Sequence, residues 1–162
     1  MKVFISGSIS IKKIPLIAIK KIDNIIEKGY FILIGDANGI DSCVQKYLEK
    51  KNYSKVTVYY AGEKIRNNFG KWKTKNIKSV KNEKGRDLYT LKDIQMSNDA
   101  DYGLKIWDGE SRGTINNIKM MKQQNKKFFV VMKEVLIDDK KIDLFIKTNK
   151  PKETTEKQMD LF

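Results

Sequence analysis

Three short stretches carry the residue types that chemistry on a polar small molecule needs, and each follows an apolar, strand-like run. Gly7 and Ser8 stand in "GSIS", Gly35, Asp36, Gly39 and Asp41 in "GDANGID", and Asp108, Glu110, Gly113, Thr114 and Asn117 in "WDGESRGTINNI". Asp36, Asp108 and Glu110 are the candidate catalytic groups, because a carboxylate can serve as general acid, general base or nucleophile. Glycine lets backbone approach a ligand closely, and the N–H groups of a following helix start hold phosphate. Arg66, in "RNNFGKW", adds a phosphate-pairing side chain. Taken singly these are ordinary turn residues, since glycine ends strands and aspartate caps helices. Their convergence on three strand ends is what predicts a nucleotide-sized pocket. Trp72 and Trp107 could stack on a base or fill the core.

Composition removes several chemistries. With no His and a single Cys there is no imidazole catalysis, no internal disulfide and no expected zinc or other metal site, and no cofactor is implied. The net charge of +13, from 33 basic and 20 acidic residues, attracts phosphate-bearing partners and allows weak association with nucleic acid. The first residues lack a secretory pattern and no run of about 18 apolar residues occurs, so no membrane partner is expected and the cytoplasm is the expected location. A homo-oligomer stays open.

The elements that must position these residues alternate. A strand at residues 2–6 leads into a helix over 14–27, with Pro15 in its first turn and Gly29 at its end. Residues 30–36 form a nearly continuous apolar strand, as in a sheet buried on both faces. Ile40, Cys43, Val44, Tyr47 and Leu48 recur on one helical face, which makes Cys43 a core residue rather than a reactive thiol. A third strand occupies 55–62, and the polar stretch 63–86 reads as a loop. "YTLKDIQM" opens a helix that Thr90 and Asp93 would cap. A fourth strand spans 101–107, a helix runs to about Gln124, "KKFFVVM" gives a fifth strand, and "EVLIDDKKIDLFIK" reads as a terminal hairpin or edge addition. The predicted class is α/β, a Rossmann-like three-layer sandwich with a mainly parallel sheet of about five strands. Residues 1–147 form the domain, and the polar residues 148–162 a flexible tail.

"GSIS", "GDANGID", "KDIQM" and "IWDGESRGTINNI", in this order over residues 1–133, resemble the motifs of the SLOG superfamily of Rossmann-like nucleotide-binding domains. The Gly-Thr loop is similar to that of the Lonely Guy phosphoribohydrolases and, more distantly, of nucleoside deoxyribosyltransferases. The resemblance implies a nucleotide or nucleotide-derived ligand, with phosphate or ribose at Gly113 and Thr114. It further implies backbone contact at Gly7 and Ser8, and polar contact from Asp36, Asp41, Asp108 and Asn117. The hydrolases carry a catalytic glutamate where this chain has Asn117, and an amide is neither carboxylate nucleophile nor base. Binding is therefore favoured over an N-glycosidase or deoxyribosyltransferase activity. A third reading, similarity to Rossmann-like DNA-processing proteins, ranks lower because no periodic basic patch stands out.

The last five residues, "QMDLF", resemble the Q-x-x-L-F peptide with which bacterial polymerases and repair proteins bind the DNA sliding clamp. That resemblance implies hydrogen bonding by Gln158 and insertion of Leu161 and Phe162 into an apolar pocket of the clamp.

Overall fold

The computed structural model describes residues 1–79, 81 and 84–148. Its strands are β1 (Lys2–Gly7), β2 (Phe31–Gly35), β3 (Val56–Ala61), β4 (Lys73–Ile77), β5 (Tyr102–Trp107), β6 (Lys127–Met132) and β7 (Val135–Leu136). They form one sheet in the order β4-β3-β2-β1-β5-β6-β7. All pairs are parallel except β6 with β7. The helices are α1 (Leu16–Glu27), α2 (Ile40–Lys50), α3 (Arg86–Asp99), α4 (Arg112–Gln123) and α5 (Asp139–Thr148).

Both faces of the central strands are covered, which is why they are apolar almost throughout. Val3, Ile5, Ile32, Ile34, Leu104 and Ile106 point towards α1 and α2, where Ala18, Ile22, Val44 and Leu48 close a core of branched aliphatics. Each such fully buried side chain is worth about 2 kcal/mol by transfer. Phe4, Leu33 and Tyr59 face the opposite way, onto Met96 of α3 and Met121 of α4. Trp107 joins Ile115, Ile118 and Ile142 in a third cluster under α4 and α5. Cys43 is half-buried against the first core, as its helical spacing predicts.

Four expectations change. The sheet has seven strands rather than about five, because β4 lies inside the polar stretch read as a loop and β7 adds a short edge. The terminal segment is only briefly a hairpin; from Asp139 it is α5, whose Ile142, Phe145 and Ile146 recur at helical spacing against Trp107. Helix α3 starts at Arg86 after Gly85, so Thr90 is interior and gives its hydroxyl to the Arg86 carbonyl (2.9 Å) instead of capping. Pro15 is the residue before the first helical turn of α1, not within it.

The strand order reverses between β1 and β5: β2 lies on one side of β1 and β5 on the other. A crevice for a ligand is expected outside the carboxyl ends of these two strands, where Gly7 and Trp107 stand.

Candidate functional site

At this switch point β1 ends at Gly7 and is followed by Ser8, β5 passes through Asp108 into the first turn of α4, and hydroxyls link the two. The Ser8 Oγ accepts the Asp108 N–H (3.0 Å) and shares a hydrogen bond with the Ser111 Oγ (2.7 Å), which in turn donates to the Thr114 Oγ1 (3.1 Å). Asp108 organises the loop. Its Oδ1 accepts the N–H groups of Glu110 (2.8 Å) and Ser111 (2.7 Å), and its Oδ2 accepts the Ser10 hydroxyl (2.7 Å). Partial burial pushes this carboxyl up, but the hydrogen bonds from Ser10 and the backbone outweigh it and hold the group at about 2. An acid so firmly ionised is a poor proton donor at neutral pH.

Helix α4 has no side-chain cap on its first turn and no acidic residue there. A Cβ added at Gly113 would meet nothing within 4 Å, so the start of α4 faces open space beside the hydroxyls. The first-turn N–H groups of this helix thus have no side-chain acceptor, while the ionised Asp108 sits just ahead of them on the Ser111 N–H.

Deeper, on the α3 and α4 side of the sheet, lies a cluster of charges. Asp36, fully buried at the end of β2, accepts the Arg66 guanidinium on Oδ1 (2.7 Å) and the Arg66 N–H on Oδ2 (2.9 Å), with the Lys92 Nζ at 3.5 Å. Burial pushes the Asp36 carboxyl up, yet the Arg66 hydrogen bonds and the Lys92 and Arg66 charges hold it below the usual range. Asp41, in the first turn of α2, accepts the Ala37 N–H (3.2 Å), and burial pushes it up to about 6 despite the Lys92 charge. Gly35 makes room for this pair, because a Cβ there would lie 2.5 Å from the Asp41 Oδ2 and 3.0 Å from the Lys92 Nζ.

Lys105 enters the same cluster from the middle of β5. It is fully buried, donates to the Ser6 Oγ (3.0 Å) and lies over the Phe4 ring. Desolvation drives its ammonium pKa well down, opposed by the charges of Asp93 and Asp41. Burial holds the Asp93 carboxyl above its usual range, against the Lys92 and Lys105 charges and a hydrogen bond from Asn117. Asn117 is buried, and its Oδ1 has no hydrogen-bond partner among the described residues. Tyr89 covers the outer side, with the Arg66 guanidinium 4.4 Å from its ring centroid.

The candidate residues therefore divide. Ser8, Asp108, Gly113 and Thr114 meet at the switch point, and Asp36, Asp41, Arg66 and Asn117 join the buried cluster. Gly7 and Gly39 are spent on packing: a Cβ at Gly7 would lie 2.4 Å from the Ile106 carbonyl, and Gly39, at φ 77°, would press on the Ile9 backbone. Glu110 is exposed in the loop. Trp107 is core, its indole N–H donated to the Ser111 carbonyl (3.0 Å), so it is not available to a base. Trp72 packs on the α2 core and gives its N–H to the Tyr53 carbonyl (2.8 Å). Gln158, Leu161 and Phe162 lie outside the described residues. Sequence reasoning missed Ser6, Ser111, Lys92, Lys105 and the part Asp93 plays. A lysine interrupting the apolar run "YGLKIW" was the visible signal for Lys105.

Two open clefts lie along β4 and not at the switch point. One, of about 670 Å³, includes Gly62, Asn76, Lys78, Lys84 and Leu88; the other, of about 460 Å³, includes Tyr53, Lys71, Trp72 and Lys73. The hydrogen-bonding chemistry of the strand ends is what marks the switch point as the candidate site, whereas the clefts mark available volume elsewhere. Among the described residues no group of acids and cysteine is placed to hold a metal, and no helix is long and apolar enough to cross a membrane. Comparison with family models, curated proteins and solved structures gives no match.

Proposed function

We propose that the chain binds a nucleotide or nucleotide-derived ligand in the crevice between β1 and β5, as a cytoplasmic sensor or binding module rather than as a catalyst. The observation that carries this reading is the uncapped start of α4 at the switch point, open over Gly113 and flanked by the buried, unpartnered Asn117 Oδ1. Phosphate belongs at the N–H groups of Gly113 and Thr114, with the Ser8, Ser111 and Thr114 hydroxyls beside it. Asn117 offers an acceptor for a ribose hydroxyl or an exocyclic amine. Arg66 uses one guanidinium nitrogen on Asp36 and keeps further donors for an anion. In this reading the C-terminal Gln158, Leu161 and Phe162 tether the protein to the sliding clamp.

A thermal-shift screen against nucleotides, ADP-ribose, cyclic dinucleotides and nucleosides tests it, with base release followed by chromatography in the same samples. Stabilisation without turnover, lost in Thr114→Ala, is the expected result. A silent panel, or unchanged stabilisation in both Thr114→Ala and Asp36→Ala, removes the pocket.

One observation favours the enzyme alternative, an N-glycosidase or deoxyribosyltransferase. Asp41, held at about 6, carries a proton close to neutral pH, as a general acid must. Release of free base that disappears in Asp41→Asn would replace the binding reading with this one.

A further inference from the structure

Strand β4 is an edge strand, paired with β3 alone. Its sequence "KTKNI" puts Lys73 opposite Thr57 and Lys75 opposite Tyr59, on one face of the sheet and about 6.6 Å apart, two strand residues. Lys71 stands just before the strand and Lys78 just after it, and both are exposed, as is Lys84 across the larger cleft. The acids nearby are fewer: Asp99, which pairs with Lys75 at 2.8 Å, and one glutamate in each cleft, Glu49 and Glu63. Lysines on a free edge prevent pairing with another chain's strand, and this accounts for Lys73 and Lys75. It does not account for Lys71, Lys78 and Lys84, which lie outside the ladder at the mouths of the clefts.

The clefts lie at the two ends of β4, and each has the volume of a small-molecule site. Tyr53 and Trp72 form a wall of one. Asn76 lines the other, and its buried Oδ1 has no hydrogen-bond partner among the described residues. Phe69, three residues before Trp72, is exposed. Exposed lysines before, within and after an edge strand, with a recess at each end of it, match an extended polyanion whose rings are free to turn out of line. A duplex keeps its bases stacked inside, and a lipid surface offers nothing to fill the recesses.

We propose that the β4 edge is a binding surface for single-stranded nucleic acid, its phosphates running along Lys71, Lys73 and Lys78 and unstacked bases entering the two clefts. The surface is separate from the β1–β5 crevice and stands whether or not that crevice takes a nucleotide.

The test is fluorescence anisotropy of the full chain with a fluorescein-labelled oligothymidylate of about twenty nucleotides over a series of KCl concentrations. Wild type is compared with K71Q/K73Q/K78Q and with K140Q/K141Q/K147Q, which removes the same charge from exposed positions on α5. The β4 variant should bind about tenfold or more weakly, and its slope of log affinity against log salt should be shallower by about 2, or 0.7 for each lost phosphate contact. The α5 variant should stay within about threefold of wild type. Equal losses in both variants would show diffuse charge and overturn the proposal. So would tighter binding to a duplex of the same length, preference for phosphatidylserine vesicles or polyglutamate, or no binding at the lowest salt. Thermal melts of both variants exclude misfolding as the cause.

Discussion

Arg66 reaches Asp36 twice, with its backbone N–H on Oδ2 at 2.9 Å and its guanidinium on Oδ1 at 2.7 Å, and so fastens the loop after β3 to the end of β2. Asn67 adds a hydrogen bond to the Asp36 carbonyl (2.8 Å). Removing the carboxylate leaves Arg66 and the buried Lys92 without it. Asp36→Ala should therefore cost about 2 kcal/mol, less than a fully buried pair because the Arg66 side chain is 38% exposed. The Asp36 pKa is depressed in the fold, so its stabilisation is complete above the unfolded value of about 3.9 and is lost as pH falls through the folded value. Urea unfolding at neutral pH and near pH 3 should show the variant's deficit shrinking on acidification. A constant deficit would mean that the pair does not set the stability of this loop.

Asp41 works in the opposite direction. Its folded pKa of about 6 lies above the unfolded value of about 3.9, so the native state binds the proton more tightly and stability falls as pH rises through this interval. Asp41→Asn removes the titration and keeps an acceptor for the Ala37 N–H. The variant should gain on wild type between about pH 4 and pH 6.5, by up to about 3 kcal/mol, the equivalent of two pKa units. Parallel stability profiles for the two proteins across that range would refute the assignment.

The central sheet was legible because its strands are buried on both faces and must be apolar, as in "FILIG" and the run before Trp107. Strand β4 was not legible for the converse reason. An edge strand paired on one side needs no apolar run, and "KTKNI" hides its alternation in lysines that a hydrophobic pattern does not register. The start of α3 was missed because Gly85, at φ 59°, and not Thr90, sets it. At the site, Asp36 was visible as an acid at a strand end, but its partner lies 30 residues on in a segment without periodicity. Lys105 and Asp93 were invisible as a pair, since only the packing of α3 on the sheet beside α4 brings them together.

Gly113 separates binding from folding. It is exposed in the first turn of α4 with open space over it, and alanine there suits a helix better than glycine. Gly113→Ala should leave unfolding unchanged or raise stability by up to about 0.5 kcal/mol. A larger side chain, as in Gly113→Val, should still fold but fill the place assigned to phosphate. Binding of any ligand found in the thermal-shift screen should then weaken about tenfold or more. Undiminished affinity in the valine variant would move the ligand away from the start of α4.

Lys105 is the most expensive residue of the cluster to bury, and its replacement asks what the cluster is for. The folded pKa lies well below the unfolded one, so the native state binds fewer protons at this group, and the Lys105 contribution to stability rises with pH until the unfolded value near 10.4 is reached. Lys105→Met keeps the length of the side chain, removes the titration and abandons the hydrogen bond to Ser6 (3.0 Å). At neutral pH the loss of a desolvated amine should roughly offset the isolation of Asp93, leaving stability within about 1 kcal/mol of wild type and without the alkaline gain. A buried cation retained for packing alone would then be dispensable for binding as well. One retained to set the charge of Asp93, and through it the orientation of Asn117, would not: the methionine variant would fold, melt normally and bind its ligand weakly. Equilibrium unfolding at pH 7 and pH 9 together with ligand titration on the same samples distinguishes the two, and full affinity in a stable Lys105→Met protein would reduce the cluster to scaffolding.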